Sequence, residues 1–363
     1  MHTIKNLEQK FVSNTSIYTL NFANLTEKPD STKNLTAKQV RHDIAAFAQM
    51  LINIYGGWPF FSAKIRKNIL NKLDEFYENT TDGTTAQNLF NNLTTIVQII
   101  PDNHLWIKLG DKVSKYPRPE RIDIGENLAK KYGNGKKYFI GKLNNIGIIA
   151  FSKCFAPDNP EDMEKFRKLV RDAMTDTDAI IIDMRDNPGG SPTIISMIAT
   201  ELNGTDIVPR CDMIYARTTP QAVELYKYFS LPYENRDLSV DPTIQTDNHG
   251  FKLPQEHKFA YNKPIYILQN NRSASSAEHL QTTLRFNPNL KIVGSNSLGC
   301  RQHTQYKPFI LEHSRIIANI STNYAHVPEI KKFETHGFTP DICVSNGIDA
   351  FDVVMAQINR KVK

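Results

Sequence analysis

An alternation of short apolar runs with segments of helical periodicity, from about residue 146 to residue 293, constrains the fold of this chain most strongly. Residues 179–182 are apolar at every position, which is typical of a strand covered on both faces. In residues 194–202 the apolar positions recur three or four apart, as along one face of an amphipathic helix. Because strand and helix signals continue to alternate, the sequence predicts an α/β fold built of layers.

Three helical segments precede this alternation. Apolar residues recur at helical spacing within residues 40–54, 65–76 and 89–99, so each segment has one apolar face. Helices of this length are expected to pack as a small bundle. We therefore predict two domains: residues 1–104 form a polar N-terminal arm and the helical bundle, and residues 105–363 form the α/β domain.

Composition excludes several classes of function. The formal net charge is +6 and the basic residues are scattered, so no nucleic-acid partner is predicted. No apolar run approaches the roughly 20 residues that span a bilayer, so no membrane span is predicted. The N-terminus lacks the pattern of a signal peptide. As written, the sequence predicts a cytoplasmic protein, or a periplasmic or secreted one if a leader has been removed.

The cysteines show neither C-x-x-C pairing nor metal-ligand spacing. They are far apart in the sequence, at Cys154, Cys211, Cys300 and Cys343. We predict reduced, mostly buried thiols and no metal centre.

Residues 270–280 are a candidate site for a nucleophile. An apolar run at residues 264–268 precedes them, a helical pattern follows, and small residues lie between. A serine at such a turn would lie beside the unpaired N–H groups and the positive end of the following helix, where an oxyanion can be received. The alternative is a helix N-cap, the commoner role of a serine before a helix.

A second turn, at residues 186–191, follows the apolar strand. Its adjacent glycines, Gly189 and Gly190, permit positive φ and a close backbone approach, so their N–H groups can point at a ligand oxygen. A plain turn is the alternative, because Asn-Pro-Gly-Gly is strong turn chemistry. Asp183 and Arg185 would be costly to bury unpaired, so a structural ion pair is predicted for them.

Four motifs occur in order along the chain. They are DMRDNPGG at residues 183–190, SASSAE at 273–278, VGSNSLG at 293–299 and GFTPD at 337–341. This order resembles the C-terminal processing (tail-specific) serine peptidase family, which also includes the tricorn core peptidase and the interphotoreceptor retinoid-binding protein. The resemblance extends over about residues 102–345. It implies a crotonase-like ββα core, so residues 105–363 would be a catalytic peptidase domain.

The resemblance implies roles for individual residues. The family nucleophile is the serine three positions before a glutamate, here Ser275 before Glu278, and a slip in register would make Ser273 the nucleophile. The tail-specific branch uses a lysine as general base just after a glycine, where this chain has Cys300. A serine–lysine dyad is therefore not implied.

The branch that resembles tricorn uses serine, histidine and glutamate. Its histidine lies in an Asp-x-His segment, matched by Asp102-Asn103-His104, and its glutamate precedes Gly-x-x-Pro-Asp, matched by Glu334. The resemblance thus implies Ser275 as nucleophile, His104 as general base and then acid, and Glu334 as the group that orients or polarises the site.

The N–H of Ser276, together with that of Gly189 or Gly190, is implied as the oxyanion hole. Three other histidines compete for the role of base: His279, His303 and His336. The predicted function is a serine peptidase that hydrolyses peptide bonds in short peptides or flexible protein termini through an acyl-enzyme, without a cofactor. Peptide or unfolded protein substrates are its predicted partners, and a homo-oligomer is allowed.

Tail-specific members often carry a peptide-binding PDZ domain. Only about 40 residues separate His104 from Ile146, too few for such a domain, so none is predicted. Two other functions stay open: a noncatalytic module on the same fold that binds an apolar ligand or a peptide, and a crotonase-like acyl-CoA enzyme. Fluorophosphonate labelling would exclude the first, and the second would need a CoA pocket.

Overall fold

The computed structural model describes residues 3–12, 29–205, 213–228, 237–241, 244–248, 258–326 and 333–361. Two compact units make up the chain. The first comprises Met1–Arg118, Met213–Asn248 and Gln302–His326, and the second Pro119–Asp212, His249–Arg301 and Val327–Lys363. The division into residues 1–104 and 105–363 stays a prediction about domains. In the described ranges, no helix has both the length and the apolar character needed to cross a bilayer.

The elements follow the predicted order, with helices first and alternating strands and helices later. The helices are α1 (Ile4–Val12), α2 (Ala37–Gln49), α3 (Ala63–Glu78), α4 (Ala86–Val97), α5 (Leu128–Tyr132), α6 (Pro160–Met174), α7 (Thr193–Asn203), α8 (Pro220–Tyr228), α9 (Ser276–Leu284) and α10 (Ala350–Lys361). The strands are β1 (Asn34–Leu35), β2 (Thr84–Thr85), β3 (Trp106–Leu109), β4 (Lys112–Lys115), β5 (Tyr138–Leu143), β6 (Ile146–Phe151), β7 (Ala179–Asp183), β8 (Met213–Arg217), β9 (Asp237–Asp241), β10 (Ile244–Asn248), β11 (Ile265–Gln269), β12 (Leu290–Gly294), β13 (His303–Ile310), β14 (Ile317–His326) and β15 (Ile342–Cys343).

Helices α2, α3 and α4 of the first unit begin at residues that cap them. Thr36 accepts a hydrogen bond from Gln39 N–H, and its own N–H donates to the Gln39 side chain, which makes a capping box before α2. Ser62 and Thr85 accept backbone N–H groups in the first turns of α3 and α4. The three predicted amphipathic helices are therefore confirmed, and their apolar faces contribute to one core of the first unit.

The sheet of the first unit is antiparallel and organised around β14. Its strand order is β4-β3-β14-β8-β10-β9, and β13 also pairs with β14. β14 pairs with β3 near its start and with β8 near its end. β13 and β14 are antiparallel and form a hairpin, with Ile310 paired with Ile317.

The sheet of the second unit is mostly parallel, with the order β15-β12-β11-β7-β6-β5. Only β5 is antiparallel, to β6. Ile180 and Ile182 of β7 pack with apolar residues of α7 and α9, whereas Ile181 packs with those of α5 and α10. Helices thus cover both faces, which explains why β7 is apolar at successive positions. The predicted α/β fold class is confirmed.

The ion pair predicted between Asp183 and Arg185 is present at the end of β7. Arg185 Nη2 donates to Asp183 Oδ2 at 2.7 Å, and both side chains are fully buried. Arg185 Nη1 also donates to Asp349 Oδ1 and to the carbonyl of Ile124, each at 2.7 Å. The pair is therefore structural and joins β7 to the start of α10.

The first residues of the chain correct the prediction of a polar surface arm. Residues 4–12 form α1, in which Leu7 and Phe11 are only 3% and 1% exposed and belong to the core of the first unit. Two apolar residues four positions apart are too short a pattern to stand out from a polar segment. The rest of the predicted arm includes residues 13–28, which lie outside the described residues.

Candidate active site

Ser275 lies in the turn between β11 and α9, in the second unit. β11 runs parallel to its neighbour β7, so the turns that follow both strands lie at the same edge of the sheet. The backbone of Ser275 has φ 55° and ψ −116°, a conformation that is costly for a residue with a Cβ. A strained serine between a strand and a helix is the geometry of a nucleophile elbow.

Glu278 holds this turn in place. It is fully buried, and its Oε2 accepts the N–H of Ser275 at 2.9 Å and that of Cys300 at 2.8 Å. Its Oε1 accepts Ser297 Oγ at 2.6 Å and Gly299 N–H at 2.7 Å. Burial raises the pKa of the Glu278 carboxyl, and these four donors oppose the rise. One carboxylate thus ties the serine turn to the segment after β12.

Gly189 and Gly190 approach the serine turn closely. Both have positive φ, 89° and 136°, and a Cβ on Gly189 would lie 2.8 Å from Ser275 Cβ and 2.9 Å from Ser276 N. Only glycine therefore fits at residue 189. Ser276 Oγ donates to the Gly190 carbonyl at 2.6 Å, which fastens the two turns together.

The N–H groups of the two glycines differ. Gly189 N–H donates to Asn187 Oδ1 at 2.9 Å. Among the described residues, no hydrogen bond is donated by the N–H of Gly190 or of Ser276. Two backbone donors beside Ser275 are thus left for a ligand oxygen.

Ser273 has a structural role. Its Oγ accepts Asn270 N–H at 3.0 Å and donates to the Met184 carbonyl at 2.7 Å, and the residue is fully buried. Ser275 is half-buried by comparison. The geometry therefore favours Ser275 over its rival.

Glu334 contacts the same segment that Glu278 holds. Its Oε2 accepts the N–H of Arg301 at 3.2 Å, and the following N–H, of Thr335, donates to the Gly299 carbonyl at 2.8 Å. The guanidinium of Arg301 lies 2.7 Å from His279 Nδ1, one helical turn after Ser275. The second unit therefore brings Ser275, Glu334 and the glycine turn to one end of its sheet.

His104 belongs to the first unit, between α4 and β3. Buried Asp102 fixes its backbone, because Asp102 Oδ1 accepts the main-chain N–H of His104 at 2.6 Å. The imidazole stacks on Tyr306 with 5.1 Å between ring centroids and lines a cleft of about 470 Å³. Burial lowers the pKa of His104, and the positive charges of His303 and Arg118 contribute, while Asp102 opposes them. The ring is therefore neutral at neutral pH, as a base must be.

Sequence reasoning missed Tyr55, which lies beside Asp102. Tyr55 O–H donates to Asp102 Oδ2 at 3.0 Å, and His303 Nδ1 is 3.1 Å from the same hydroxyl. His303 is only 2% exposed, and burial lowers its pKa. Gly57 lies close to the same ring, because a Cβ there would be 2.5 Å from the His303 side chain, but no pattern in the sequence indicates this contact.

The thiols of the described cysteines differ in exposure. Cys154 and Cys300 are buried, and Cys343 is exposed. Burial raises the pKa of Cys154 to about 12, so that thiol is not a nucleophile at neutral pH. Cys300 is only 3% exposed.

Known proteins resemble this chain in sequence and in fold. A Chlamydia trachomatis protein is 24% identical over 212 residues, covering 46% of this chain and 34% of that protein, so the match spans about a third of the relative's length. A peptidase candidate from Parabacteroides merdae superposes with a TM-score of 0.59 at 13% identity, covering 90% of this chain and 97% of that one. Mature CPAF in complex with lactacystin gives 0.54 at 12% identity, with coverage of 90% and 97%.

The match to a family model is more specific than these likenesses. The model of peptidase family S41 matches residues 145–344, more than half of the chain. The matched residues include Ser275, Ser276, both glycines and Glu334, and they begin after His104. The four ordered motifs had predicted this family, and the fold agrees with it. The chain belongs to peptidase family S41.

Proposed function

We propose that this chain is a serine peptidase that hydrolyses peptide bonds in short peptides or flexible protein termini through an acyl-enzyme on Ser275. The observation that carries the proposal is the strained backbone of Ser275 at the start of α9. Beside it lie the N–H groups of Ser276 and Gly190, which donate to no acceptor among the described residues. A helix N-terminus and such donors stabilise a developing oxyanion. A serine that only capped a helix would not need this costly φ.

The oxyanion hole in this proposal consists of the N–H groups of Ser276 and Gly190. Gly189 N–H is occupied by Asn187 Oδ1, which favours Gly190 as the second donor. Gly189 then contributes by its lack of a side chain, because a Cβ there would press against Ser275.

We assign the general base to His104, as in the tricorn-like serine–histidine–glutamate branch. Support comes from Cys300 at the position of the branch lysine, from the lowered pKa of His104 and from the stacking of its imidazole on Tyr306. His279 is a poorer base, because a guanidinium can only donate and therefore occupies the Nδ1 lone pair. The proton of that neutral ring is then on Nε2, which leaves no lone pair for Ser275.

The proposed reaction has two steps. Ser275 Oγ attacks the carbonyl carbon and passes its proton to His104, the carbonyl oxygen becomes an oxyanion held by two N–H groups, and the C–N bond then breaks. His104 gives its proton to the leaving amine. Water, deprotonated by His104, then attacks the acyl carbon, the ester C–O bond to Ser275 breaks, and His104 returns the proton to Ser275 Oγ. Glu334, which contacts the segment at residues 299–301, would orient or polarise the site.

A fluorophosphonate probe tests the nucleophile. The native chain should be labelled once, at Ser275, and the Ser275→Ala variant should lose both labelling and peptidase activity while keeping its fold. Ser295→Ala is the matched control, because Ser295 lies on a neighbouring loop and its Oγ donates to the Asn296 carbonyl at 3.4 Å. Labelling that persists in Ser275→Ala would reject the assignment. Absence of labelling with tight binding of an apolar ligand would favour the noncatalytic module.

The branch is tested by comparing two histidine variants. His104→Ala should lower kcat on the order of 10³-fold or more, as loss of a catalytic histidine does. His279→Ala should lower it much less. The opposite ranking would move the base to His279 and remove the support for the tricorn-like branch.

A further inference from the structure

Two histidines of the first unit converge from distant parts of the chain. His42 lies on α2 and His313 in the turn between β13 and β14, with 4.8 Å between their ring centroids. Asp43 joins them: one side-chain ligand atom from each of His42, Asp43 and His313 lies within 4.8 Å of the others. Glu312 adds a carboxylate, with its Oε2 3.7 Å from His42 Nε2. The proposed site of peptide hydrolysis uses none of these residues.

Asp43 holds the cluster in a fixed arrangement. It is fully buried, and its two oxygens accept the N–H groups of His313, at 3.2 Å, and Ser314, at 2.7 Å. The turn that carries His313 is therefore attached to α2 whether or not the imidazoles meet. A carboxylate has about four lone-pair positions, so these bonds leave capacity for a cation.

His42 Nδ1 has an unmet requirement. It is buried, it is 3.5 Å from Asp43 Oδ1, and within the described part of the chain it makes no hydrogen bond. Buried polar atoms without partners are rare because each costs free energy. A cation bound between the imidazoles and the carboxylates would remove the need for another partner.

We propose that His42, His313 and Asp43 bind a Zn²⁺ ion and that this ion clamps α2 to the β13–β14 turn. Two imidazoles with a carboxylate are a donor set typical of Zn²⁺. Tetrahedral ligands at bonds of about 2.1 Å lie roughly 3.4 Å apart, so donors within 4.8 Å of one another need to close by up to about 1.4 Å. Half-buried His313 leaves room for that movement.

The competing occupant is a proton. Contact with Asp43 raises the pKa of His42, and the charge of Glu312 adds to the rise, so a protonated imidazole paired with the two carboxylates would also account for the cluster. Raising the pH to about 8 favours the metal over the proton, because a metal binds the deprotonated imidazole.

The test uses the whole chain without a tag, after treatment with a chelator. Calorimetry measures Zn²⁺ binding, and thermal unfolding measures its effect on stability. The native chain should bind one equivalent and unfold at a higher temperature with Zn²⁺ than without it. His42→Gln and His313→Gln should each weaken binding tenfold or more and lose the shift in Tm. His326→Gln is the matched control, because His326 is a half-buried histidine of the same unit outside the cluster. Co²⁺ should give a tetrahedral absorption band in the native chain and in His326→Gln, but in neither His42→Gln nor His313→Gln.

Some results would overturn the site. One is that the native chain binds no stoichiometric Zn²⁺. Another is that the double variant His42→Gln/His313→Gln binds Zn²⁺ as tightly as the native chain, which would place the ion elsewhere. If the histidine variants fail to fold, the Co²⁺ spectrum of the native chain decides, because bound Co²⁺ reports the geometry of its ligands without any substitution. Binding of Co²⁺ by the native chain without a tetrahedral band would reject the proposal.

Discussion

At the scale of single residues, the candidate site depends on Ser275, whose backbone conformation is unfavourable for a residue that has a side chain. Glycine is the residue that tolerates φ near 55°, yet a hydroxyl is needed there for nucleophilic attack. Glu278 accepts the N–H of this residue and so stabilises the strained turn. The strained backbone of Ser275 therefore lowers the stability of the fold but positions the Ser275 hydroxyl.

We expect Ser275→Gly to be more stable than Ser275→Ala by about 1 kcal/mol, because glycine relieves the positive φ and alanine does not. Both variants should be inactive. Urea unfolding of the two proteins measures the difference. At Ser295, which is not among the residues of positive φ, the order should reverse, with alanine more stable. Equal stability of the two Ser275 variants would mean that the turn carries no strain.

The pKa of His104 sets the pH dependence of the proposed reaction. Because its pKa is lowered, chiefly by burial, His104 loses its proton below the ordinary value of about 6.5. The acid limb of kcat/KM should therefore lie below that value, with activity rising as pH increases through it. Arg118→Gln removes a positive charge that lowers this pKa, so the limb should move to higher pH. A limb that stays in place or moves down would contradict the role given to His104.

At the scale of elements, the glycine turn after β7 packs directly against the chain after β6. Gly190 pairs with Cys154 in an isolated bridge, and a Cβ on Gly190 would lie 2.1 Å from the Cys154 carbonyl oxygen. The double glycine is therefore required by close packing as well as by the proposed oxyanion hole.

Gly190→Ala should destabilise the chain by about 3 kcal/mol or more, because it adds a backbone clash to a φ of 136°. Gly135→Ala is the control: it also has positive φ, 81°, but nothing lies within 4 Å of its Cβ position. That variant should lose only about 1 kcal/mol. Chemical denaturation compares them, and equal losses would show that the clash relaxes without cost.

At the scale of the whole molecule, each compact unit has its own sheet and core. In the second unit, the buried guanidinium of Arg185 joins several segments at the end of β7. Arg185 binds Asp183, Asp349 and the Ile124 carbonyl. Removing one partner of a buried ion pair leaves the other charge without compensation.

Arg185→Met should therefore lower the free energy of unfolding by about 3–5 kcal/mol. Arg171→Met is the matched control, since Arg171 is half-exposed and pairs with Glu201 at 2.8 Å. Exposed pairs contribute about 1 kcal/mol or less. Thermal unfolding of both variants tests the difference. A loss at residue 185 no larger than that at residue 171 would mean that water replaces the guanidinium.

The sequence by itself determined the features that depend on neighbouring residues. The continuous apolar run of β7, the small residues around Ser275 and the helical periods of α2, α3 and α4 are local patterns, so spacing was enough to predict the elements, and the four motifs were enough to predict the family. The short helix α1 was missed because two apolar residues give too weak a period.

Only the tertiary structure decided which distant residues meet. The four donors around Glu278, the contact of Asp102 with Tyr55 and His303, and the attachment of His313 to Asp43 join segments up to 270 residues apart. The structure also decided that residues 213–248 and 302–326 belong to the first unit. Such contacts arise from chain topology and the satisfaction of buried polar groups, and neither leaves a periodic trace along the sequence.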